Sequence, residues 1–338
     1  RFSAGLSESV LIILLFISSL TMFMAGLVAN FEYDLKKIIA FSTLSQLGLM
    51  MSILGLGESM LSFFHLLMHA LFKALLFMCA GCMIHSMMNC QDIRYMGSLV
   101  NFIPLTSSFF NICNLSLCGL PFLAGFYSKD LILEFVSMSY TNFYIYFIFY
   151  VSIGLTVMYT FRLMYYTMVG DYGGVSFFSL SDSSELMLKG MGGLIFFVIF
   201  GGSAMSWLIF PTPYMICLPL SMKLMVLVSI IVGMYLGYMM SLVSLNDFLK
   251  TLKSEKLLFY FSSIWNLNYL STFGVNYYFL IFGEKYNSMI DQGWLEYYGT
   301  QNIYMLNKSS SSFIQKLFYN NIKIFLTLFL IWICMLFI

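Results

Sequence analysis

Charge is what this sequence has least of. Of 338 residues, 16 are Lys or Arg and 15 are Asp or Glu, 9% in all, against 60% hydrophobic. A soluble domain carries roughly a quarter charged residues, so that class is excluded. A formal net charge of +1 leaves no basic surface for nucleic acid. Proline is scarce, at 5 residues, while Phe (36), Met (27) and Tyr (23) are abundant. That skew points to a nucleotide-biased, organellar genome. No run of four thiolates could ligate an iron–sulfur cluster. Cys79 and Cys82 form a lone C-x-x-C at the end of an apolar run, with no second pair, and read as packing. Gly190, Gly192 and Gly193 open an apolar helix and follow no strand, so they are not a dinucleotide fingerprint. Residues 9–30 lack the charged leader and cleavage site of a signal peptide. Opening on Arg1 in mid-pattern, the chain reads as a piece of a longer or split gene product.

What is present is apolar runs. A membrane helix needs about 20 such residues. Eight spans are expected, near 9–30, 36–56, 60–83, 103–139, 142–169, 189–210, 217–244 and 321–338. The chain is thus an all-α polytopic membrane protein. Counting the side before the first span as side one, that side holds Arg1 and Lys223. Side two holds Lys36, Lys37, Arg94, Lys189, Lys250, Lys253 and Lys256. The positive-inside rule places side two in the cytoplasm or organelle matrix. Residues 247–320 regain charge, Asn and Ser. Within them, 276–318 reads as an interfacial amphipathic helix, which Gly283, Gly293, Gly299 and the run Ser309 to Ser312 should interrupt.

Costly residues concentrate in two spans. Between Cys118 and Glu134, Gly119, Pro121 and Gly125 break an apolar helix that carries Lys129, Asp130 and Glu134. A Lys or Asp at a membrane helix centre costs about 2.5–3.5 kcal/mol. Such residues face a bundle interior or wet cavity and mark ion pathways. In the third span His65, His69 and Lys73 fall at i, i+4 and i+8, on one helix face. They advance about 6 Å per step. Imidazole titrates near neutrality, and an amine out of water releases its proton more readily, so the stripe has the makings of a proton ladder. Ser42, Thr43, Ser45 and Gln46 of the second span offer hydroxyl and amide links. Arg162, within the fifth span, needs a partner: it is a snorkelling anchor or the counter-charge to Asp130 or Glu134. His85 reads as interfacial. The expected path runs from the histidines and Lys73 to Lys129, and on towards Asp130 and Glu134 at one mouth.

The stretches Asp34 to Gly48, His65 to Ala80 and Leu120 to Asp130, with Asp291 to Glu296 further on, closely resemble one family. It is the chain 5 family of mitochondrial NADH–ubiquinone oxidoreductase (complex I), the distal antiporter-like subunits. The resemblance implies an antiporter-like bundle of two inverted five-helix repeats, each with a broken helix bearing a key lysine. It also implies a lateral amphipathic helix on the matrix side and a C-terminal anchor. Lys129 falls on the broken-helix lysine, and His65, His69 and Lys73 on the central relay. Residues 1–170 then correspond to the second repeat, 171–246 to additional membrane helices, 247–320 to the lateral region and 321–338 to the anchor. The first repeat is missing from this sequence. The implied role is a proton-translocating subunit of a redox-driven pump in the mitochondrial inner membrane. NADH, FMN, iron–sulfur clusters and ubiquinone would sit in other subunits, and this chain would bind no cofactor. Its expected partners are the other membrane-arm subunits, above all the neighbouring antiporter-like ones, and membrane lipid such as cardiolipin. A cation/proton antiporter shares the fold, although the lateral region and last span argue against it. A structural clamp of the membrane arm is the third reading.

Overall fold

The computed structural model describes residues 3–139, 142–174, 180–182, 184–243, 255–319 and 322–337. Arg1, Lys250 and Lys253, counted in the loop charges, and the first residue of the expected span 321–338 lie outside them. The chain forms two compact units, Arg1–Trp265 and Asn266–Ile338. The described residues hold helices and no strand beyond one isolated bridge, between Asp34 and Asp92.

The first unit is built of α1 (Glu8–Phe31), α2 (Leu35–Gly55), α3 (Ser59–Ser86), α4 (Pro104–Cys118), α5 (Ala124–Met138), α6 (Phe143–Met164), α7 (Glu185–Ile209) and α8 (Leu220–Leu242). Among the described residues, six single helices are long and apolar enough to cross a membrane: α1, α2, α3, α6 with its wider last turn to Val169, α7 and α8. The expected span at 103–139 is the pair α4 and α5, of 15 residues each. Each half rises about 22 Å at 1.5 Å per residue, less than a full bilayer core.

The polarity of the bundle is turned inside out. On α1, Ile12, Ile13, Phe16 and Ile17 are exposed, while Ser18, Ser19 and Asn30 are buried. Lipid solvates the first set. The second must find partners inside, because a buried polar group without one is costly. Ser18 and Ser19 donate to the carbonyls of Leu15 and Phe16, and Asn30 to that of Gly26.

Short links close the two ends. At one, Leu35 N–H donates to Gln91 (2.9 Å), Ile93 to Tyr33 (3.0 Å) and Ser98 to Gly170 (2.8 Å), all at carbonyl oxygens. There the Arg94 guanidinium, hydrogen-bonded to Asp92, holds that carboxyl below its usual range. Asp182 accepts from Leu105 N–H (3.0 Å) and Thr106 Oγ1 (3.2 Å), placing a carboxylate at the N-terminus of α4, where the helix dipole favours it. At the other end Tyr214 donates to Glu58 at 3.1 Å.

The second unit holds α9 (Leu267–Phe318) and α10 (Ile322–Leu336). The expected interruptions of α9 do not occur. Gly293 and Gly299 lie in wider, π-type turns, and the helix continues through them. A helical glycine costs only about 1 kcal/mol. Ser309, Ser310, Ser311 and Ser312 each return their hydroxyl to the carbonyl three residues back, so the serine run leaves no donor unpaired. At 1.5 Å per residue α9 extends roughly 80 Å. The 15 residues of α10 are fewer than the 20 expected of a full span.

Candidate functional site: a buried lysine and histidine network

On α2, Ser42, Ser45 and Gln46 share the inward face, and each is buried. The inward face of α3 carries His65, His69 and Lys73. The two stripes meet. Lys73 Nζ donates to Ser42 Oγ, whose own proton goes to the Ile39 carbonyl at 2.6 Å. His65 Nε2 lies 3.1 Å from Gln46 Oε1, and Nδ1 lies 3.0 Å from Ser128 Oγ. An amide oxygen can only accept, so in this network Nε2 carries the proton and Nδ1 accepts from the Ser128 hydroxyl. His65 therefore ties α2, α3 and α5 together. Its ring stands 6.4 Å from that of His69, which in turn meets Phe72 edge-on at 5.4 Å.

The break between α4 and α5 follows from two residues. Gly119 closes α4 at φ +85°, a conformation that favours glycine. Gly119 and Leu120 turn their N–H groups back to the Ser116 and Leu115 carbonyls, which leaves the Leu117 carbonyl without a helical donor, and Pro121 has no N–H to continue the helix. Lys129 supplies one instead: its Nζ donates to Leu117 O at 3.2 Å and to Thr156 Oγ1 at 3.0 Å. The negative end of the α4 dipole thus faces a cation. Lys129 is 2% exposed. Beside it, Cys118 Sγ and Thr160 Oγ1 are 2.9 Å apart.

Gly125 permits the two half-helices to approach. A Cβ there would overlap the Ser116 carbonyl oxygen, a backbone atom that cannot swing aside. Gly125→Ala is expected to lower the thermal midpoint of the assembled protein, by a cost of about 1–3 kcal/mol for overpacking. An unchanged midpoint would mean that α4 and α5 do not meet this closely.

The structure brings His65, His69 and Lys73 into one interior with Lys129, through Gln46 and Ser128. Asp130 lies next to Lys129; its Oδ1 is buried and has no hydrogen-bond partner among the described residues, as is also true of His69 Nε2 and Gln46 Nε2. Glu134, one turn on, is half-buried. Ser45 donates to its own helix, at the Ser42 carbonyl, 2.9 Å away.

Arg162 differs from expectation. It is 4% exposed, so it does not snorkel, and no ion pair among the described residues includes it. Its guanidinium donates to the carbonyls of Ala29, Asn30 and Glu32 at the end of α1 and stacks on Tyr33 at 4.7 Å. A planar five-donor fork suits a helix C-terminus, where carbonyls are left over. Arg94 covers Tyr33 as well, at 4.3 Å. His85 is exposed. Cys79 and Cys82 pack against Met191 and Met187 of α7, at 3.6 and 3.8 Å.

Sequence reasoning missed Ser128, Thr156 and Tyr159. Tyr159 is 1% exposed, and its buried hydroxyl has no hydrogen-bond partner among the described residues. The signal for Thr156 was available: Ser152, Thr156 and Thr160, spaced four apart, set a stripe of inward hydroxyls along a largely apolar, aromatic helix.

Two family models match the chain. One described as NADH:quinone oxidoreductase/Mrp antiporter, TM covers residues 2–156, and one described as NADH dehydrogenase subunit 5 C-terminus covers 159–338. Among curated proteins, the chain is similar to NADH-ubiquinone oxidoreductase chain 5 of Locusta migratoria, 52% identical over 325 residues (96% of this chain, 57% of that protein). The protein of the same name from Anopheles gambiae is 54% identical over 319 residues (94% and 55%). That of Lumbricus terrestris is 37% identical over 303 (88% and 52%). The chain spans about half the length of these relatives.

Proposed function

The chain belongs to the NADH–ubiquinone oxidoreductase chain 5 family, and we propose that it is a proton-translocating membrane subunit of that enzyme. In this reading it performs no redox chemistry. NADH, FMN, iron–sulfur clusters and ubiquinone are handled by other subunits, and electron transfer there drives protons through this one. The observation that carries the reading is the double hydrogen bond of His65. It joins the α3 stripe to Ser128, the chain neighbour of Lys129, in an interior walled by lipid-facing apolar side chains.

The proposed route has His65, His69 and Lys73 feeding Lys129, with Asp130 and Glu134 leading to side one along α5. Gln46 orders the first station, and Ser45 lies behind it. Arg162 supports the fold around the route and carries no proton in it. The positive bias of the side-two loops supports a reading in which that side faces the mitochondrial matrix and the bundle lies in the inner membrane. Residues 1–170 would be the second antiporter-like repeat, 171–246 additional membrane helices, 247–320 the matrix-side lateral region and 321–338 an anchor. The partners are the other membrane-arm subunits, neighbouring antiporter-like chains first, and lipids such as cardiolipin. Against 100 mV each transferred charge requires about 2.3 kcal/mol, so the route needs donors and acceptors held in fixed order.

The test is His65→Leu in the full-length chain of the intact assembly, reconstituted in sealed vesicles. Proton uptake per NADH oxidised should fall, and transfer through this chain should slow about a hundredfold, as when a positioned acid–base group is lost. Normal uptake by a fully assembled variant would remove His65 from the path.

A further inference from the structure

We propose that Thr156 is a positioning residue for Lys129: a hydroxyl seat that fixes where the ammonium stands in the proton route. The inference rests on the relay reading above and names a residue that this reading does not otherwise use.

Thr156 projects from α6, a helix of mostly aromatic and aliphatic residues, and is 3% exposed. A threonine hydroxyl can both donate and accept. Here its proton is committed to the Ile153 carbonyl at 2.8 Å, so what Oγ1 offers Lys129 at 3.0 Å is a lone pair. The Leu117 carbonyl, left over where α4 ends, offers another at 3.2 Å. Two acceptors on different helices, α4 and α6, thus converge on one Nζ that sits on a flexible four-carbon stem. With a single acceptor the stem could pivot; with two it has one direction.

The same chemistry recurs at the other lysine. Ser42 ties its proton to Ile39 at 2.6 Å and accepts from Lys73. Both interior lysines therefore rest on a hydroxyl turned into a pure acceptor by its own backbone. A packing role for Thr156 would be met by valine, which has the same shape. A seat would not, because valine offers no lone pair.

The experiment compares Thr156→Val, Thr156→Ser and Lys129→Met in the full-length chain of the intact complex. It measures the amount assembled on native gels and the proton uptake per NADH oxidised in sealed vesicles. Thr156→Val should assemble normally but slow proton transfer through this chain about tenfold or more, the scale of one lost hydrogen bond to a charged group. Thr156→Ser should restore transfer, and Thr156→Val should add nothing to Lys129→Met. Normal uptake in Thr156→Val beside impaired uptake in Lys129→Met overturns the seat and leaves the relay standing. Normal uptake in Lys129→Met overturns the relay and the seat together. Should Thr156→Val fail to assemble, Thr156→Ser against Thr156→Ala decides the question, and equal uptake by those two overturns the seat.

Discussion

Replacing Arg162 by methionine is expected to deplete the assembled protein severely. Methionine keeps much of the volume and removes every donor. The carbonyls of Ala29, Asn30 and Glu32 would then be left at the end of α1 without the guanidinium that now serves all three. Each buried acceptor that loses its partner costs about 1–3 kcal/mol, and the helix dipole loses its terminal cation. Tyr33 would keep its contact with Arg94 and lose the one with Arg162. The combined cost approaches the whole stability of an ordinary domain, about 5–15 kcal/mol. Native-gel quantification of the complex checks it. Arg162→Lys should recover part of the loss, since one ammonium can reach some of the carbonyls but cannot stack as a plane. Wild-type assembly in Arg162→Met would mean that water or lipid already satisfies the end of α1.

The helices were legible because the membrane imposes one rule on each of them. Glu8–Phe31 and Leu220–Leu242 follow the expected runs to within a few residues, since an apolar stretch of that length has little else to become. The broken helix was legible from Gly119, Pro121 and Gly125. The continuity of α9 was not. Gly293 and the serine run are weak breakers, and their cost is small beside the hydrogen bonds of a helix that continues.

Within the site, the α3 stripe could be read from spacing alone. The partners could not, because each hydrogen bond joins residues far apart in sequence: His65 to Gln46 and Ser128, Lys129 to Thr156. Arg162 was misjudged for a related reason. A buried cation was expected to seek an anion, yet three helix-terminal carbonyls satisfy it without the desolvation of a second ion.

The central claim is that Lys129 carries protons. Methionine at position 129 preserves the length of the stem and discards the only group that can be protonated there. The Leu117 carbonyl and the Thr156 hydroxyl would each lose a donor, a modest cost that the hydroxyl of Thr156 reduces by keeping its own bond to Ile153. The complex should therefore assemble. Proton transfer through this chain should fall by about two orders of magnitude, the usual contribution of a positioned acid–base group. The direct measurement is proton uptake per NADH oxidised by sealed vesicles containing the assembled Lys129→Met complex. A clear drop at unchanged assembly is the predicted result; wild-type uptake per NADH would contradict the account.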